Sequence, residues 1–119
     1  MCFDHNQFME DSEKYILQMK QEMPETVTNF YATFRSAMGK GELSFKAKEL
    51  IALGISLSLP CAPSVVDHTK KALAAGATRE EILEAASVAI FMAGNTAFNH
   101  TPLVMKALDG LKPQPKSIK

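Results

Sequence analysis

The stretch "FKAKELIALGISLSLPCAPSVVDHTKKALAAG", residues 45–76, decides the fold, because it holds two helix patterns divided by one hard break. Its first half is apolar nearly all round, the signature of a helix buried on most sides and so central to the molecule. Ser44 stands just ahead of it as a candidate cap. Pro60 and Pro63 bracket a turn, and a further helix runs from about Cys61–Pro63 to Ala75, closed by Gly76 as a left-handed cap.

Chemistry gathers at this junction. If the two helices pack antiparallel about a turn near Pro60, residues equally far from the turn face each other. Glu49, the only acid in the first of them, then lies opposite a position near Lys71, with His68 within one turn. A buried acid requires a partner. An imidazole beside a carboxylate has its tautomer fixed and can take or give a proton. Cys61, Ser64 and His68 fall at i, i+3 and i+7, along one stripe of the second helix. At the start of that helix the thiol lies near free backbone N–H groups and the positive end of the dipole, conditions that favour thiolate.

Working outward, every other segment also reads as helix. Tyr15, Ile16, Met19 and Met23 recur at three and four between Glu10 and Met23. Pro24 suits a first helical position, and Val27, Phe30, Tyr31, Phe34 and Met38 mark one face up to a stop at Gly39. Thr78 and Glu81 form a capping box ahead of "ILEAASVAIFMA", which stops at Gly94. A last helix is expected over 96–111, broken or restarted at Pro102, since proline inside a helix costs about 3 kcal/mol. No alternating run flanked by hairpin turns is present, so the fold class is all-α, with about six helices. The expected organisation is one helical domain over 1–111 and a disordered tail over 112–119.

Composition bounds the function. The 119 residues carry 13 basic and 13 acidic side chains, so the field that would draw in nucleic acid or an anionic membrane is absent. No apolar run approaches the ~20 residues of a membrane span, and the acidic N-terminus lacks the features of a secretory signal. Cytoplasmic residence is the expectation, with Cys2 and Cys61 as thiols rather than a disulfide. A zinc site is rejected: Cys61 and His68 lie about 10 Å apart along the helix axis, too far for one ion. Gly54, Gly76 and Gly94 read as helix packing and stops, so no nucleotide cofactor is implied.

Each site residue has a second reading. Cys61 is either a reactive thiol or a small buried hydrophobe. Ser64 is either part of the site or a capping hydroxyl in the first turn. His68 reads as a site residue given Glu49, or as a histidine satisfying a buried partner. His100 could line the same pocket, and Cys2 is assigned no role. The methionines and the Phe30, Tyr31, Phe34 cluster read as core or subunit contact. A helix apolar all round and an aromatic stripe on its predecessor exceed what a small bundle buries alone, so a homo-oligomer is expected.

Glu49, eleven residues, Cys61, two residues, Ser64, three residues, His68 and then "KKALAAGATREEILEAASVAIFMAG" resemble the core of the carboxymuconolactone decarboxylase and AhpD-like alkylhydroperoxidase superfamily, over about 44–108. The resemblance implies small all-helical subunits, an AhpD-like bundle, assembled as trimers or hexamers. It implies that a glutamate and a histidine relay protons to the second cysteine of a CxxC, which attacks peroxide while the first closes a disulfide. Glu49 and His68 match the relay, Cys61 the resolving position and Ser64 the attacking one. A serine can form neither a sulfenate nor a disulfide with Cys61. The expected activity is therefore a thiol-dependent peroxidase or disulfide reductase using one cysteine, acting on a small molecule with an outside thiol or disulfide. The alternatives are a cofactor-free decarboxylase or lyase working by Glu49 and His68 acid/base chemistry on a carboxylated or lactone substrate, and a non-catalytic oligomeric binding protein.

Overall fold

The computed structural model describes residues 5–110, and within them every regular element is an α-helix. The expected tail over 112–119 and Cys2 lie outside the described residues. Two compact units divide after Gly41. The first holds α1 (His5–Glu22) and α2 (Pro24–Met38), and the second α3 (Phe45–Ser58), α4 (Ala62–Ala74), α5 (Arg79–Ala93) and α6 (Asn95–Gly110).

In the first unit, α2 starts at Pro24, whose missing N–H and fixed φ suit the first turn. Val27 is its one buried apolar side chain among those described. Tyr15, Met19, Met23 and Phe30, all from the apolar stripes, remain substantially exposed. Phe30 and Tyr31 meet edge to face at 5.8 Å between ring centroids, and the Lys20 ammonium lies 5.5 Å from the Tyr31 ring centre. Gly39 ends α2 in an extended conformation, φ −69°. Its glycine requirement comes from crowding: a Cβ there would lie 2.7 Å from the Arg35 carbonyl oxygen.

The second unit builds the core. α3 packs against α4, α5 and α6, which makes it the central helix the apolar run predicts. Leu53 and Leu57 from α3 meet Val65 and Ala72 of α4, Ile82 and Ala86 of α5, and Val104 and Leu108 of α6 in one buried cluster. Local signals set the ends. The Ser44 hydroxyl accepts from the Ala47 N–H at 3.0 Å. After α4 the chain closes as a Schellman motif, with the Ala77 N–H on the Ala72 carbonyl at 2.9 Å, the Gly76 N–H on the Leu73 carbonyl at 3.0 Å, and Gly76 at φ +96°. Thr78 and Glu81 form both bonds of the capping box. Gly94 takes φ +65° between α5 and α6.

Two expectations change. α6 runs unbroken through Pro102, which sits exposed on the helix. Its lost hydrogen bond falls on the Phe98 carbonyl, while His100 and Thr101 side chains bond the carbonyls of Thr96 and Ala97 at 2.7 and 2.8 Å, bracing the preceding turn. α3 is also less enclosed than its all-round apolarity suggests, since Ile51 and Ile55 are each about half exposed.

Candidate active site

The antiparallel register of α3 and α4 brings Glu49 against His68. Glu49 is wholly buried, and its Oε2 lies 2.8 Å from His68 Nδ1. With Glu49 ionised the carboxylate can only accept, and Nδ1 then carries the hydrogen and donates it. The opposite ring nitrogen, Nε2, is then left for the cleft that His68 lines with a side chain 19% exposed. Among the described residues the other Glu49 oxygen, Oε1, is buried with no hydrogen-bond partner. Such an orphaned acceptor costs on the order of 1–3 kcal/mol, a cost that packing alone gives no reason to retain.

The cleft holds about 320 Å³ and is lined by Ala52, Ile55, Ser56, Leu59, Cys61, Ser64 and His68. Three of the four predicted residues thus share it, and Glu49 stands behind His68 as its buried anchor. Cys61 is exposed and occupies the N-cap of α4 without using its side chain as a cap. The buried-hydrophobe reading of this thiol does not hold. Ser64 gives no capping bond either. Every other hydroxyl within α3, α4 and α5 is bonded to a carbonyl one turn back: Ser56 to Leu53, Ser58 to Gly54, Thr69 to Val65 and Ser87 to Leu83. Ser64, in the first turn of α4, lines the cleft instead. His100 is spent on the Thr96 carbonyl and is not part of the lining.

The opposite wall escaped sequence reasoning. Ala52, Ile55, Ser56 and Leu59 recur at i, i+3, i+4 and i+7, one stripe of α3 continuing from Glu49 toward the turn. Their spacing relative to Glu49 was the available signal. An apolar wall facing a thiol, a hydroxyl and an imidazole can seat a small organic molecule with one polar end. Among the described residues no three of His, Cys, Asp and Glu are grouped so as to hold a metal ion, and no helix is long and apolar enough to cross a membrane.

An all-helical unit with this pair at its central helix crossing defines a class by its scaffold. Residues 24–107 match the carboxymuconolactone decarboxylase family, and the chain belongs to it. The match starts at Pro24, taking in α2 as well as the 44–108 core that the spacing indicates. Among curated relatives, an uncharacterised protein of Cupriavidus necator is 30% identical over 91 residues, 76% of this chain and 80% of its own. Uncharacterised protein 4 of the cox locus in Paracoccus denitrificans is 32% identical over 80 residues, 67% and 72% of the two chains. Among solved structures, a carboxymuconolactone decarboxylase family protein of Legionella pneumophila superposes with a TM-score of 0.83 at 28% identity, over 87% of this chain and 93% of that one. A Thermotoga maritima member, whose description raises a part in an antioxidative response, gives 0.77 at 24% identity, over 85% and 86%.

Proposed function

We propose that the chain is a thiol-dependent reductase of peroxides that uses Cys61 as its single reactive cysteine. The carrying observation is the exposed Cys61 thiol in one cleft with His68, whose Nδ1 is held 2.8 Å from a buried Glu49. His68 Nε2 takes the proton of the Cys61 thiol, and the thiolate attacks one oxygen of a small hydroperoxide; the O–O bond breaks, the sulfur becomes a sulfenic acid, and the departing alkoxide takes that proton back from His68. Because Ser64 cannot close a disulfide, an outside thiol attacks the sulfenic sulfur, releasing water and leaving a mixed disulfide. A second outside thiol frees Cys61 and leaves as the outside disulfide. One peroxide and two thiols become one alcohol, one water and one disulfide. The same exchange run on a disulfide substrate needs no peroxide.

Such a cycle suits a reducing compartment such as the cytoplasm, where small thiols are abundant. The antioxidative description of the Thermotoga maritima relative points the same way. The apolar wall of Ala52, Ile55 and Leu59 favours an organic hydroperoxide over hydrogen peroxide. In the test, peroxide turnover with a thiol reductant is compared between wild type and Cys61→Ser. A loss of about a hundredfold or more is expected, since no other cleft group supplies a sulfenate; equal rates overturn the proposal.

The Glu49–His68 bond also supports a second reading, acid/base catalysis without sulfur on a small carboxylated or lactone substrate. Lyase activity that survives Cys61→Ser and disappears in His68→Ala would select it. The open cleft weighs against a merely structural role, which bulky side chains filling the site would have favoured.

A further inference from the structure

The peroxide cycle leaves Ser64 unused. Among the described hydroxyls within α3, α4 and α5 it alone bonds no helical carbonyl, and it lines the cleft of about 320 Å³ together with His68. The two fall at i and i+4 of α4, on one face and about 6 Å apart along the axis, whereas Cys61 lies about 10 Å from His68 by the same measure. Side chains on a helix lean toward its N-terminus, so the His68 ring leans toward the turn that holds Ser64. Its Nδ1 is committed to Glu49 at 2.8 Å, and Nε2 is the nitrogen left for the cleft.

We infer that Ser64 and His68 act as nucleophile and base, with Glu49 as the carboxylate that positions the base, so that the cleft also hydrolyses small carboxylic esters. A serine hydroxyl attacks only when a base takes its proton, and the base works when a third group holds its ring. Glu49 is that group: it is wholly buried, and His68 is its one partner among the described residues. The carbonyl oxygen that turns negative needs donors. Cys61 gives the first turn of α4 no side-chain cap, which leaves the backbone N–H groups of Ala62 and Ser64 near the hydroxyl. The acyl chain meets the apolar wall of Ala52, Ile55 and Leu59, and no ammonium or guanidinium lines the cleft, which selects a carboxylic ester over a phosphate ester. In the reaction Ser64 Oγ bonds to the carbonyl carbon as its proton passes to His68 Nε2; the ester C–O bond breaks, and the alcohol leaves with that proton. Water then gives a proton to His68 and its oxygen to the acyl carbon, the bond to Ser64 breaks, and Oγ takes the proton back. One ester and one water become one acid and one alcohol.

Ester hydrolysis shares the Glu49–His68 pair with peroxide reduction but not the sulfur, so either activity can fail alone. Because a thiol can also attack an activated ester, the reference protein is the cysteine-free Cys2→Ser/Cys61→Ala chain, and the probe is p-nitrophenyl butyrate. The reference should release nitrophenol, and adding Ser64→Ala should slow that release at least about a hundredfold with the same helical circular dichroism. No release above the uncatalysed rate, or equal rates with and without Ser64, overturns the assignment. Activity that survives Ser64→Ala but disappears in His68→Ala also overturns it, since water rather than serine would then be the nucleophile. The second measurement needs no variant: a fluorophosphonate, which forms a P–O bond to an activated serine and loses fluoride, is read by peptide mass spectrometry on the wild type. It should modify Ser64 at least about tenfold faster than Ser87, which is exposed but bonded to the Leu83 carbonyl. Ser64 reacting no faster than Ser87 would sink the inference while leaving the peroxide assay untouched.

Discussion

Two ion pairs tie the central helix to its neighbours at nearly the same distance: Glu49 to His68 of α4 at 2.8 Å, and Lys46 to Glu81 of α5 at 2.9 Å. They lie one turn apart on α3. Glu49 is fully buried with one oxygen unpartnered, whereas both side chains of the Lys46 pair are 37% exposed. Sequence spacing gives no hint of this difference, because both are long-range pairs between helices. Desolvation separates them: a surface pair is screened and contributes little, while a buried pair is costly to make and more costly to break. The fold thus keeps one link that stability hardly needs and one that is retained at a cost. In the proposed function the second carries the chemistry.

Breaking the buried link from each side gives the largest expected effect. His68→Ala removes the one partner, among the described residues, of a carboxylate that is fully buried, and should destabilise the protein by about 3–5 kcal/mol in urea unfolding. Glu49→Gln leaves an amide oxygen that can still accept from Nδ1, and should cost only about 1 kcal/mol. The ordering is the discriminating result. A His68→Ala loss under about 1 kcal/mol would mean that Glu49 carries no charge in the fold, erasing the contrast between the pairs.

The two regions also differ in how far the sequence announces them. The helix boundaries were legible because each rests on local chemistry: Ser44 at a cap, Pro24 in a first turn, Thr78 with Glu81, and Gly76 and Gly94 at positive φ. The meeting of Glu49 and His68 was legible because a hard turn near Pro60 fixes the antiparallel register. Lys46–Glu81 and Arg79–Asp109 were not, since they depend on how α5 and α6 pack, which no local signal encodes. The α3 wall of the cleft was missed for a related reason: a run apolar on every side does not say which stripe faces the core, which faces a cleft and which is left open. Pro102 misled as well, because its ring faces solvent and the neighbouring turn is braced by side-chain bonds that propensity does not count.

An intermediate effect sharpens the surface side of the contrast. Glu81 serves both the Lys46 pair and the capping box, accepting from the Thr78 N–H at 2.9 Å while the Glu81 N–H donates to the Thr78 hydroxyl at 3.1 Å. Thr78→Ala deletes the hydroxyl and leaves a first-turn N–H without its cap, which should cost about 1 kcal/mol in the same assay. Thr78→Ser should restore most of it. A loss as large as that of His68→Ala would show that the start of α5, rather than the buried pair, is the weak point of the unit.

The smallest effect is read through pH and salt. The hydrogen bond from the Lys46 ammonium, and next the one from the Thr78 backbone, hold the Glu81 carboxyl below its ordinary value of 4.5. A carboxyl depressed in the folded state adds stability that is fully present above the unfolded value and lost as pH falls through the folded one. Thermal midpoints of wild type and Glu81→Gln should therefore differ by a constant small amount above about pH 5 and converge as the pH is lowered below it. Raising the salt to about 0.5 M at neutral pH should shrink the same gap, since exposed charges are screened over a few ångströms there. The gap between wild type and His68→Ala should not respond to salt in this way, because ions do not reach a carboxylate with no exposed surface. If salt closed both gaps equally, Glu49 and Glu81 would sit in the same dielectric, and burial could not be what distinguishes the two links.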